Sequence, residues 1–191
     1  MPKAPAPKTQ DCMVDLETLG RTPGCALLSI GAVMFNPATQ ELGDEFYVVV
    51  TRDDPLFEKL GFHVDPDTLK WWESQSSGAR EVFADAANKR KSKGIGRALD
   101  MFNEFIAPVG KRNVRIWGNG ADFDNAILAT GMRLAQREPG WEFWNGRCFR
   151  TLKNLHKDVK APEMPTVAHN ALADAKAQAV HALAIFKEKF Q

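Results

Sequence analysis

The sequence predicts an α/β domain, and three observations carry that expectation. Three apolar runs separated by short turns occupy the first third of the chain, a strand–glycine turn–helix unit sits in its middle, and a long Ala-rich segment with helical character closes it. With 191 residues, 44% hydrophobic and 26% charged, the chain has enough apolar material for one substantial core. Residues 1–10, rich in Pro, Ala and Lys, read as a flexible tail and residues 11–191 as a single domain.

The first run, Cys12 to Thr18, reads as a buried strand that carries two acids one residue apart. Successive strand side chains alternate between faces, so Asp15 and Glu17 share one face while Val14 and Leu16 pack on the other. Two carboxylates on one edge of a core strand raise each other's pKa unless a cation neutralises them. A hard divalent ion such as Mg²⁺ or Mn²⁺ suits an all-oxygen donor set, whereas a solvated pair at a strand end needs no ion. Ala26 to Phe35 and Glu45 to Thr51 supply the second and third runs, and the three together read as an antiparallel meander. Gly31, inside the second run, marks either a close backbone approach or a bulge.

Asp65-Pro66-Asp67-Thr68 is a helix start, with an acceptor at the cap and Pro in the first turn. The helix carries Leu69, Trp71 and Trp72 and frays over Ser74 to Gly78. Adjacent helical residues diverge by about 100°, so either one indole is buried and the other is free to stack on a base, or both pack in a large core. Asn88 to Arg97 is the most basic stretch and reads as a phosphate-steering segment or as a solvated loop. Ala98 to Ile106 has helical spacing and ends at Pro108, and Val114 to Trp117 forms a short strand broken by Gly118-Asn119-Gly120. A helix from about Asp122 to Ala135 follows, which puts Asp122 or Asp124 at the carboxyl end of that strand, where open α/β sheets bind ligands. If Lys153, Lys157 and Lys160 lie on one helix, their spacings of four and three align them as a phosphate rail. Ala161-Pro162 and Met164-Pro165 break the chain before the final helix, Asn170 to Phe190. No internal repeat and no second domain is evident.

A five-residue step on a helix is about 500°, so His169 and Asp174 would not face one point if both were helical. The helix therefore starts after His169, with Asn170 as its N-cap. That leaves His169 on a loop beside a carboxylate of the first or second turn, placed to act as a base without ligating a metal. His63, His156 and His181 are taken as structural. Three cysteines without metal spacing, Cys12, Cys25 and Cys148, fit a reducing intracellular setting. No apolar run approaches a membrane span. A net charge of +1 gives no global pull toward nucleic acid, so any polyanion site must be a local patch.

Asp15-Leu16-Glu17-Thr18, Gly120-Ala121-Asp122-Phe123-Asp124, and His169 with Asp174 five positions on resemble the three motifs of the DEDDh 3′–5′ exonucleases, the DnaQ-like branch of the ribonuclease H-like fold. Asp15 to Val33, Phe62 to Ser76 and Ile116 to Ile127 are most similar to a smaller group, phage exodeoxyribonucleases of the DexA type and a mycobacterial exoribonuclease-like domain. The resemblance implies a mixed sheet of three antiparallel strands plus parallel strands, flanked by helices. It implies that Asp15, Glu17, Asp124 and Asp174 bind two divalent ions, Mg²⁺ or Mn²⁺, and that His169 is the general base. Asp124 takes the place of the family's acid and Asp122 that of a helix cap. Asp11 shares the strand face but lies about 13 Å back, too far for the same ions.

The implied reaction is hydrolysis of the terminal phosphodiester at a free 3′ end, releasing nucleoside 5′-monophosphates. Thr18, Leu19 and Asn119 are then expected at the terminal nucleotide, with Trp72 or Phe62 as a stacking surface. The phage likeness tilts the substrate toward single-stranded DNA over RNA, in the cytoplasm of a bacterium or of a phage-infected host, and related enzymes suggest a homodimer. Two rivals remain open at this point. One is a nucleic-acid-binding module that keeps the fold without catalysis, and the other is an aspartyl phosphatase with Asp15 as nucleophile, for which Glu17 is a poor second acid.

Overall fold

The structure, a computed structural model, describes residues 10–164 and 169–190. The expected tail, apart from residue 10, and the Pro165 breaker lie outside the described residues. Six strands form one mixed sheet in the order β4-β3-β2-β1-β5-β6. The antiparallel meander is β1 (Asp11–Thr18), β2 (Leu27–Asn36) and β3 (Glu41–Val50). Three short strands run parallel to their neighbours: β4 (Ser92–Lys93) on β3, β5 (Arg115–Gly118) on β1, and β6 (Gly146–Cys148) on β5.

The alternation of β1 divides the interior in two. Cys12, Val14 and Leu16 face a large core covered by α4 (Ile95–Ile106) and α5 (Asp124–Leu134), where Leu99, Phe102, Ile127 and Leu128 are fully buried. Met13 faces the other way, into a smaller core with Val33, Phe35 and Trp117 beneath α7 (Ala171–Phe190). On α7 a stripe of Ala171, Ala175, Ala179 and Ala182 is buried against the sheet. Small side chains permit a short helix–sheet distance, and Gly31 completes it. A Cβ on Gly31 would stand 2.2 Å from the backbone of Ala171 and Leu172, so the glycine marks a close backbone approach.

The α2 helix (Pro66–Glu73) starts as its residues demand, with Asp65 accepting from the Asp67 amide at 2.9 Å and Pro66 in the first turn. The short helices α1 (Leu56–Leu60) and α3 (Glu81–Ala87) have no counterpart in the sequence expectations. Two details differ from those expectations, and a third bears on an alternative they left open. First, α5 begins at Asp124 after Phe123, so Asp122 is exposed and caps nothing. Second, α6 (Phe149–Leu155) stops before Lys157 and Lys160, so no three-lysine rail forms. The chain instead turns to bury Val159, whose carbonyl meets the His181 ring at 3.0 Å. Third, the basic stretch runs through an exposed turn, β4 and the start of α4, with Lys91 paired to Asp85 and Arg97 to Glu104.

Candidate active site

The site forms where the sheet splits. Pairing between β1 and β5 ends at Met13 and Trp117, so the last residues of β1 have no parallel neighbour. Asp124 fills the gap: one carboxylate oxygen accepts from the Leu16 amide at 3.3 Å and the other from the Asn119 amide at 2.7 Å. On the face of β1 turned toward α7, Asp15 lies opposite Gly31 and Glu17 opposite Ser29. Because Gly31 has no side chain, the first turn of α7 settles over it and brings in Asp174. Ligand oxygens of Asp15, Glu17 and Asp174 then lie within 4.8 Å of one another. Asp124 is buried immediately behind this trio rather than within it.

Asn170 caps α7 through the Ala173 amide at 3.0 Å, and His169 precedes it in the left-handed region at φ 62°. The His169 amide donates to Asp174 at 3.1 Å. Its ring stands edge-on to Trp71 at 5.0 Å and to Trp72 at 5.9 Å. The two indoles divide their work as a helix requires. Trp72 is 2% exposed and donates its indole N–H to the Thr18 carbonyl at 2.9 Å, tying α2 to the end of β1. Trp71 is 45% exposed.

Crowding of the acids governs their ionisation. Burial pushes the Glu17 carboxyl up to about 8, and the Asp174 and Asp124 charges add to it. Asp15 is raised well above the usual carboxylate range, first by burial and then by Asp124 and Glu17, with a hydrogen bond from Gln178 opposing. Burial raises Asp124 to about 6 against the pull of the Asn119 and Leu16 amides. Asp174 is also raised by burial, with His169 opposing. Among the described residues no Lys or Arg forms an ion pair with any of the four. A trio of hard oxygen donors, costly when charged and lacking a protein cation, fits a divalent metal ion.

Asp15, Glu17, Asp174, His169 and Trp71 line a cleft of about 670 Å³ together with Thr18, Asn119, Trp72 and Phe123. Two expected contacts lie elsewhere. Leu19 is buried and borders a neighbouring hollow, because its backbone amide and carbonyl are held by Ala26 and Asp65. Phe62 is buried edge-on to Phe57 and beneath Gly131 of α5. The structure adds Gln178, one turn beyond Asp174, which donates to Asp15 at 2.7 Å and whose own amide oxygen is buried with no partner. Its signal in the sequence is a polar residue four places, about one helical turn, after Asp174. His63, His156 and His181 contact Thr22, Phe190 and Val159, away from the cleft.

Residues 10–186 match the family model described as the 3′–5′ exoribonuclease Rv2179c-like domain. The chain belongs to that family. An exodeoxyribonuclease of Enterobacteria phage T4 is 26% identical to this Rv2179c-like domain over 192 residues, covering 86% of the chain and 83% of the phage protein. Three solved structures share its fold. The zinc ion bound form of the E. coli ExoI–ssDNA complex matches with a TM-score of 0.67 at 14% identity, over 94% of this chain and 40% of that one, so the domain spans less than half of ExoI. The nuclease domain of 3′hExo, described as a DEDDh family member bound to rAMP, matches at 0.59 and 13% identity over 94% and 92%. Exonuclease X in complex with 5′ overhanging duplex DNA matches at 0.57 and 14% identity over 95% and 93%. The Rv2179c-like domain thus belongs to a 3′–5′ exonuclease family and has the ribonuclease H-like fold, shared with a nuclease domain described as a DEDDh family member. Among the described residues, no helix is long and apolar enough to cross a membrane.

Proposed function

We propose that this domain removes nucleotides one at a time from the 3′ end of single-stranded nucleic acid, DNA in preference to RNA, releasing 5′-monophosphates. The observation that carries the proposal is the convergence of Asp15, Glu17 and Asp174 at the open end of β1, with Asp124 behind them and His169 at the rim. These four acids would hold two divalent ions, Mg²⁺ or Mn²⁺. When bound, such ions supply charge neutralisation at the scissile phosphate and a lowered pKa for attacking water. His169 would accept the proton of the attacking water on a ring nitrogen, its backbone amide anchored to Asp174 and its ring edge-on to two indoles. Gln178 orients Asp15 through the bond to its carboxylate. The Asn119 amide oxygen, buried and unpartnered at the cleft, suits a donor on the terminal nucleotide.

The half-exposed face of Trp71 is better placed than Trp72, Phe62 or Leu19 to stack on a base. Replacing Trp71 by Ala is expected to weaken oligonucleotide affinity in Ca²⁺ about 5- to 100-fold. Unchanged affinity would remove Trp71 from the substrate path. The preference for DNA rests on the likeness to the phage exodeoxyribonuclease, whereas the family description favours the exoribonuclease reading. Incubating matched 3′- and 5′-labelled DNA and RNA strands with Mg²⁺ or Mn²⁺ tests polarity and sugar preference together. Mononucleotide release from the 5′ end, or from neither end, would defeat the proposal. The free cysteines Cys12, Cys25 and Cys148 accord with a reducing cytoplasm, bacterial or of a phage-infected host. A homodimer is the proposed assembly, to be tested by light scattering.

A further inference from the structure

The turn Phe143–Asn145, just before β6, displays aromatic surface that packing does not explain. Phe143 is 86% exposed and Trp144 53%, with their rings 5.0 Å apart and nearly perpendicular. The turn is held from both sides. Trp141 is buried against Phe102, and the buried Asn145 donates its side-chain amide to the Arg112 carbonyl at 2.9 Å. The two exposed rings are therefore presented on a braced backbone. Arg147 reinforces it, donating to the Trp144 and Gly146 carbonyls at 2.8 and 2.9 Å, which fixes its guanidinium at the turn. Beneath lies a hollow of about 420 Å³ lined by Arg133, Arg147, Trp141 and Phe143, with no carboxylate in its lining.

This hollow is separated from the catalytic cleft by a single turn. Asn119 and Phe123 face the cleft, while Ala121 faces the hollow. Arg150 is exposed beside that turn, its guanidinium 3.7 Å from where a Cβ on Gly120 would lie. Exposed rings and arginines on the surface adjoining the cleft suit a polyanion with a flat base on each unit. A protein partner would not require that continuity with the cleft.

We propose that Phe143, Trp144, Arg147 and Arg150 form a second binding site, a shelf that grips the single-stranded polynucleotide upstream of its 3′ end without reading its sequence. The rings stack on bases and the arginines meet phosphates, so the shelf adds affinity for longer strands. This proposal rests on the exonuclease reading of the cleft and extends its substrate.

The test compares a dinucleotide, too short to reach the shelf, with a decathymidylate. In the Phe143→Ala/Trp144→Ala double variant and in Arg147→Gln, KM for the long strand should rise about 5- to 100-fold with kcat unchanged. Turnover of the dinucleotide should stay at the wild-type value. Arg147→Gln should also lower the salt slope of decathymidylate binding in Ca²⁺ by about 1. Equal losses on both substrates, or no loss on either, would overturn the shelf. So would loss of a wild-type dimer on substitution, which would make the surface a contact between copies. If the wild type hydrolyses neither strand, the exonuclease reading falls by itself. The Ca²⁺ binding series then decides the shelf alone: weaker long-strand binding in the variants upholds it, and unchanged binding removes it.

Discussion

The two ends of β1 treat the same chemistry in opposite ways. At the start of the strand Asp11 is buried, but its carboxylate accepts from Arg115 at 2.7 and 2.5 Å and from the Trp117 indole at 2.8 Å. At the far end of the same face Asp15 and Glu17 have acids as neighbours, Asp124 and Asp174, and no protein cation within ion-pair reach among the described residues. One end is neutralised from within the chain and holds the parallel β1–β5 pair together. The other is left electrostatically incomplete. A fold that supplies Arg115 to Asp11 and gives Asp15 and Glu17 only acids as charged neighbours leaves that pair to an external cation.

If that contrast is right, disturbing the two ends should have separable effects. Asp15→Asn should lower hydrolysis by at least about 10⁴-fold, above the usual range for loss of a general base, because it removes a metal ligand. Single-turnover assays would read this, and activity within ten-fold of wild type would break the contrast. His169→Ala should cost about 10²- to 10⁴-fold while leaving Mn²⁺ binding intact by calorimetry, since His169 moves a proton and holds no metal. At the opposite end, Arg115→Leu should leave kcat unchanged and lower the stability read by urea unfolding. Breaking a buried pair costs about 3 to 5 kcal/mol, which partial exposure of Arg115 reduces to about 2 kcal/mol.

A separate effect is the pH dependence of metal-free stability. Glu17 is raised in the folded protein from 4.5 to about 8. Its contribution is therefore fully present below the unfolded value and is lost as pH rises through about 8. In EDTA the melting temperature of Glu17→Gln should exceed that of wild type at pH 8, with the gap closing toward pH 4.5. Divalent metal should raise the wild-type melting temperature most at the alkaline end. A Glu17→Gln protein with an unaltered pH profile would mean that the carboxylate is not under strain.

What was legible in the sequence depended on how local its cause is. The buried strand with its paired acids, the Asp65-Pro66 helix start, the Asn170 cap and the special role of Gly31 all follow from residues within a turn or two. Elements that depend on distant partners were not legible. The two-residue strand β4 exists by pairing with β3, and the Ile95 amide at the start of α4 is met by Asp54, 41 positions earlier. The lysine rail failed for the converse reason, since helical spacing means nothing once the chain turns to bury Val159. In the cleft, the acids and His169 were visible as motifs. Which of the two tryptophans turns inward is decided by the Thr18 carbonyl 54 residues away, and the Gln178 bond to Asp15 spans 163 positions.

Gly31 faces Asp15 across the β1–β2 ladder and lies directly under the start of α7. The distance between Asp15 and Asp174 is therefore set by a hydrogen atom where every other amino acid carries carbon. A single methyl group at that spot would act as a wedge, lifting the helix and spreading the acids while altering none of them. Such a lesion would be silent in any inventory of catalytic side chains, yet it would blunt the enzyme from underneath.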